Sequence, residues 1–200
     1  MISHSVQKNN AENTKETTAD RSSVMRSRAH AFCQALVSPP PPRDLLSEFF
    51  IPDPSSSSPS SEDGSGSPPR PTIHEHGPAW ATKTLPFLGK SFSGGAACEE
   101  YFAVLGDTLA MHMSAADSFP GPEGFVVDAA RNQVCVVGRG RFESVRTGRS
   151  WDEQFVYVLS GWDGPGRKIG RWDVWADPLS AWAAVAEEDV DGWKRGQHRS

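Results

Sequence analysis

The stretch SWDEQFVYVLSGWDGPGRKIGRWDVWADPLSAW, residues 150–182, decides how this chain folds. Residues 154–162 are rich in aromatic and β-branched side chains, contain no proline and read as a strand. Asp163-Gly164-Pro165-Gly166 is a turn cluster, and residues 168–176 read as a second strand. Two such runs joined by a Gly- and Asp-containing turn form an antiparallel hairpin.

Upstream of this hairpin the strand signal continues. Residues 132–145 predict a long strand and 125–128 a short one, preceded by the turn cluster Phe119-Pro-Gly-Pro-Glu-Gly. Ser93-Gly94-Gly95 introduces a helix expected over residues 96–111, with Tyr101, Phe102, Leu105 and Leu109 on one face. Residues 72–76 alternate and predict a strand ended by Gly77-Pro78, and residues 79–88 are apolar and mixed.

Two helices are expected before that point. Val24, Met25, Ala29, Phe32, Cys33, Leu36 and Val37 recur at helical spacing after a Ser22 or Ser23 N-cap, and the prolines at 39–42 end this helix. Residues 43–50 carry Leu45, Leu46, Phe49 and Phe50 on one stripe, stopped by Pro52. Helices first and strands afterwards imply an α+β fold with the helices on one face of a curved sheet.

Composition frames this reading. Hydrophobic residues make up 37% of 200, and every Trp lies at or after Trp80. Residues 1–21 are polar and are expected to be a disordered tail, with a domain over 22–186 and a second polar tail over 187–200. Residues 52–71 are nearly all Ser, Pro and Gly and read as a disordered insertion. The formal charge of −5 and the lack of a basic run give no electrostatic footprint for nucleic acid. No stretch is apolar enough to span a membrane, and the polar N-terminus carries no secretory signal, so a cytoplasmic protein is expected. Cys33, Cys98 and Cys135 have no metal spacing and read as reduced buried thiols.

The segment 150–182, with its hydrophobic strand, Asp-Gly turn, Lys-Ile pair, Trp-Asp pair and closing Asp177, resembles the last two strands of SnoaL-like domains. HEHGPAWATKTLPFLG (74–89) and CEEYFAVLGDTL (98–109) resemble the first strand and third helix of a fungal branch of that group. The chain is thus similar to the SnoaL-like polyketide cyclases of the nuclear-transport-factor-2-like superfamily. The resemblance implies a cone-shaped α+β barrel, with N-terminal helices packed on a curved mixed or antiparallel sheet around a small-molecule pocket. It also implies a homodimer, no cofactor, and a carboxylate that moves a proton next to a carbonyl of a polyketide-like or terpenoid-like intermediate. Ketosteroid isomerase, of the same superfamily, is a known instance of that chemistry.

Asp173 is the leading candidate for this carboxylate. It matches the Trp-Asp position of the family pattern and sits where a charge is costly, between Trp172 and Val174. The alternative is a structural pair with Arg171 or Arg141. His74 and His76 share one face of their strand; His76 is the candidate partner in acid/base work and His74 a ligand contact, whereas capping of the Gly77-Pro78 turn is the plainer role. Trp80, Phe87 and Trp175 are candidates for an apolar wall, Arg141 and Arg171 for contacts to a polar ligand group, and Tyr157 for an oxyanion donor. Glu75 points away from the two histidines, which leaves them without a third ligand, so no metal is expected. The competing function is a non-catalytic binding module that dimerises through Val156, Val158, Trp172 and Val174.

Overall fold

The computed structural model describes residues 3–54 and 69–186, with side chains from residue 19 onward. Two helices, α1 (Ser3–Val37) and α2 (Pro42–Phe49), precede strand β1 (Thr72–Glu75). A 3-10 turn (Ala79–Lys83) leads to β2 (Ser91–Ser93), α3 (Gly95–Thr108) and β3 (Leu109–His112). A second 3-10 turn (Pro122–Gly124) leads to β4 (Val126–Asp128), β5 (Gln133–Ser144), β6 (Ser150–Ser160), β7 (Arg171–Trp175) and α4 (Pro178–Ala186).

The strands form one seven-stranded sheet in the order β2-β1-β7-β6-β5-β3, with β4 also on β5. β1 runs parallel to β7 and every other pairing is antiparallel, so the sheet is mixed. The expected α+β architecture, helices on a curved mixed sheet, is the one found. The sheet stays open.

α1 starts well before the expected Ser22. No Pro or Gly interrupts residues 3–37, so nothing in the backbone stops the helix over the stretch expected as a tail. Residues 55–68 of the expected insertion and the whole of 187–200 lie outside the described residues. β2 and β3 were not expected. β3 follows α3 directly because the chain turns extended at Leu109 (φ −130°, ψ 134°), which ends the expected 96–111 helix early.

The hairpin over Asp163–Gly166 is held by its own aspartate. Asp163 Oδ1 accepts the backbone N–H of Arg167 at 2.6 Å and of Lys168 at 3.1 Å. Arg21 of α1 then clamps two turns together, donating to the carbonyls of Gly164 and Ala129 and to Asn132 Oδ1. One glycine makes room for the aromatic packing on the inner face. Gly138 of β5 stands opposite Phe155 of β6, and a Cβ there would lie 2.3 Å from the Phe155 ring. The missing side chain lets that ring fold over the concave face.

One continuous core joins α1, α2 and α3 to that face, with Phe32, Phe50, Tyr101 and Leu159 fully enclosed. Cys33 and Cys98 are buried free thiols and Cys135 is half-buried. Among the described residues no helix is long and apolar enough to cross a membrane.

Candidate functional site

Parity along the strands decides which side chains can meet a ligand. In the ladder His74 stands opposite Asp173 and Glu75 opposite Val174, so the two residues of each pair share a face. Ile73, Glu75, Trp172 and Val174 point inward, and Thr72, His74, Arg171, Asp173 and Trp175 outward.

The inward face encloses a cavity between the sheet, α3 and α4. Its walls include Phe87, Phe102, Phe155 and Trp172, and its polar groups include Glu75, Tyr101, Glu153 and Tyr157. The free space is about 50 Å³, where one water needs ~10–15 Å³, so a larger ligand requires side chains to move. Met111 and Met113 line it and can provide that movement.

Glu75 is the most deeply buried of the carboxylates that line this cavity. It is 7% exposed, and Oε2 accepts the Tyr101 hydroxyl at 2.8 Å. Burial pushes its pKa up to about 7; the Tyr101 bond opposes this and the nearby Glu153 charge adds to it. The same burial, with the Glu75 charge, holds the Tyr101 phenol well above its usual range, so it remains a donor. The Trp172 indole N–H is buried and has no partner among the described residues. Tyr157 packs edge-on to the Trp172 ring at 4.9 Å, and its own pKa is raised by burial. Glu75, Tyr101 and Trp172, the last with a buried N–H unpaired among the described residues, thus all line one largely apolar chamber.

Asp173, the carboxylate expected here, faces the other way. Its carboxyl accepts Arg171 Nε and Nη2, both at 2.7 Å, and pairs with His76 Nε2 at 2.9 Å. Burial raises its pKa, but these bonds outweigh it and leave the group below the ordinary carboxylate value. The structural alternative is therefore the geometry found. His76 stacks on Trp175 (3.8 Å between ring centres, 6° between planes), and His74 bonds Ser91 Oγ at 2.9 Å, all on the outer face. Burial lowers the His74 pKa, with the neighbouring His76 charge second. Trp80 is 69% exposed and touches Trp182. Arg141 lies on the surface against Ser150 and Asp152.

Of the expected site residues, Phe87 and Tyr157 line the cavity; Asp173, His76, His74, Trp80, Arg141, Arg171 and Trp175 do not. Trp172 and Val174 also turn inward and so do not belong to an outer dimer face. Glu75, Tyr101, Glu153 and Trp172 were not expected in the site. Their signal was present: Ile73 and the flanks Trp172 and Val174 are the apolar phase of their strands, and Glu75 shares that phase.

No family model and no curated protein sequence matches this chain. Solved structures do. A proposed isomerase from Bacillus subtilis superposes with a TM-score of 0.54 at 14% identity, over 81% of this chain and 92% of that one. PrhC from Penicillium brasilianum gives 0.52 at 11% identity, over 86% and 97%. A Catenulispora acidiphila protein with a ketosteroid isomerase-like fold, in complex with trimethylamine, gives 0.50 at 9% identity, over 80% and 92%. At such identities the likeness concerns the fold alone: this chain has the ketosteroid isomerase-like fold, the cone-shaped α+β fold of the nuclear-transport-factor-2-like type.

Proposed function

We propose that this protein is a SnoaL-like, cofactor-independent proton-transfer enzyme in which Glu75 is the acid/base. The observation that carries this reading is a carboxylate buried in an apolar, aromatic-walled cavity and tuned to about 7. The substrate class is a carbonyl compound of polyketide-like or terpenoid-like character.

The Glu75 carboxylate takes a proton from the carbon next to the carbonyl. The C–H pair moves into a new C=C bond, and the carbonyl electrons move to oxygen. The unpaired Trp172 N–H and the Tyr157 hydroxyl are the donors available to hold that enolate oxygen. Tyr101 keeps the Glu75 carboxyl in place and is a positioning residue. Return of the proton to another carbon completes an isomerisation. Attack of the enolate carbon on a second carbonyl, with the Glu75 proton passed to the alkoxide that forms, completes a cyclisation, and departure of a β-hydroxyl as water, carrying that same proton, completes a dehydration; each route restores the Glu75 carboxylate.

The test is α-proton exchange of cyclic and polyketide-like ketones in D2O, followed by NMR. The wild-type protein is expected to accelerate exchange, and Glu75→Gln to remove about 10²- to 10⁴-fold of that acceleration. Exchange that survives Glu75→Gln at the wild-type rate removes Glu75 from this role.

A second reading has its own observation. The outer sheet face exposes Val126 (69%), Val137 (52%) and Trp175 (44%) beside Val156 and Val158, as a dimerising module would. A wild-type protein that sediments as a dimer and accelerates no exchange favours that reading.

A further inference from the structure

No Lys, Arg or His stands among the described residues that line the cavity, whereas Glu75, Glu153 and Asp177 all do. Asp177 is committed to α4: Oδ1 accepts the N–H groups of Leu179 and Ser180 at 3.0 and 3.1 Å, and Oδ2 accepts the Ser180 hydroxyl at 2.6 Å. Glu153 is not so committed. Its Oε2 accepts the Trp151 indole N–H at 2.8 Å and the Asp177 backbone N–H at 3.3 Å. These bonds fix the group without supplying a positive charge. Burial raises its pKa and no cation opposes the shift.

Glu153 also lies where the cavity meets the surface. It lines both the inner chamber, which holds no cationic side chain among the described residues, and an open outer groove. The walls of that groove include Ser114, Gly140, Asp117 and Asp152 together with His112, Arg139 and Arg141. Gly140 stands opposite Glu153 in the ladder, and the flexible Met113 thioether packs into the space its absent side chain leaves, with Sδ 2.7 Å from where a Cβ would lie. Arg139 and Arg141 occupy the alternate positions of β5 and face outward; Arg141 is engaged with Ser150 and Asp152. Around the inward carboxylate stand aromatic rings. Phe142 stacks on Trp151 at 5.8 Å, with Phe155 at 6.0 Å from Phe142. Ring faces and a partly desolvated carboxylate that has neutral hydrogen-bond donors and no ion-pair partner among the described residues favour a cation and repel an anion. Further in, the unpaired Trp172 N–H calls for an acceptor.

We propose that the ligand of this cavity is an apolar amine, bound as its ammonium ion against Glu153 and the Trp151–Phe142 rings, with a carbonyl or hydroxyl oxygen directed to Trp172. This rests on the cavity being the ligand site and adds the substrate class, an amino carbonyl compound in place of a free acid or a phosphorylated one.

The test is a charge series of equal shape: cyclohexylamine, cyclohexanol and cyclohexanecarboxylate, titrated into the full-length protein by NMR at pH about 8. The ammonium is expected to bind about tenfold or more tightly than the alcohol, and the carboxylate not at all. Glu153→Gln keeps an acceptor for Trp151 and is expected to bring the amine to the affinity of the alcohol, leaving the alcohol unchanged. Equal or tighter binding of the alcohol, binding of the carboxylate, or an amine preference that survives Glu153→Gln overturns the amine assignment; the proton-transfer reading then stands on its own exchange assay. Binding of none of the three overturns the cavity as a ligand site, and both proposals with it. The wild-type series decides the charge preference even if the variant does not fold.

Discussion

The Tyr101 hydroxyl donates to Glu75 Oε2 at 2.8 Å and so ties α3 to β1 across the cavity wall. The pair reconciles two opposed demands. Burial drives the Glu75 carboxyl toward its neutral form, and the phenol draws it back toward the charged one. Their balance leaves the group near 7, where it can both take and return a proton at neutral pH.

Removal of that donor moves the balance in a known direction. Tyr101→Phe keeps the ring packed against Phe92 and Trp172 and deletes only the hydroxyl. The Glu75 pKa then rises further, by about one pH unit for the loss of a hydrogen bond to a charged group. Exchange that requires the carboxylate should therefore start at higher pH, with the lower limb of its pH–rate profile displaced upward by that amount. An unmoved profile would mean that the phenol does not set the Glu75 charge.

Asp173 and Glu75 should behave oppositely when neutralised. Asp173→Asn leaves the Arg171 guanidinium, which is 41% exposed, with part of its pairing lost, and a cost of about 1 kcal/mol follows after screening by solvent. Ketone exchange should be retained, because the Asp173 side chain does not reach the cavity. Denaturant midpoints read the first effect and NMR exchange rates the second. Loss of exchange at unchanged stability would return the catalytic role to Asp173.

Much of the fold was legible in the sequence because it is written in local signals. The Asp163–Gly166 turn, the long alternation of β5 and the helical stripe of Tyr101 and Leu105 each fix their own element. The site was less legible because it depends on which side of a strand is concave. In TIHEH both faces carry ionisable groups, and two histidines on one face outweighed a single glutamate on the other. Only tertiary structure, with Ile73 fully buried and β1 parallel to β7, shows that the Glu75 face is the inner one. The Asp-between-hydrophobics signal at Asp173 was real as a measure of burial, and Arg171 and His76 resolve it as an ion-pair cluster. β2 is three residues long and could not be read locally at all.

The raised pKa of Glu75 makes a prediction about stability that is independent of any substrate. In the unfolded chain the carboxyl titrates near its ordinary value of 4.5, and in the folded protein near 7. Between those values the folded state holds a proton that the unfolded state has released, so the stability this group contributes falls as pH rises through the window. Below about 4.5 the contribution is fully present, and above about 7 it is lost. The difference amounts to about 3 kcal/mol at most, because moving a pKa by one pH unit corresponds to about 1.36 kcal/mol. Glu75→Gln replaces the titrating group by a neutral one that can still accept from Tyr101. This variant should unfold at higher denaturant than wild type at pH 8, by up to that amount, and the gap should close toward pH 5. The same substitution that removes proton transfer should thus strengthen the fold, as expected where an active carboxylate is held against its solvation preference. Denaturation of both proteins across that range decides it. A Glu75→Gln protein less stable than wild type at pH 8 would mean that the carboxylate is stabilised in its charged form, and that the cavity does not desolvate it.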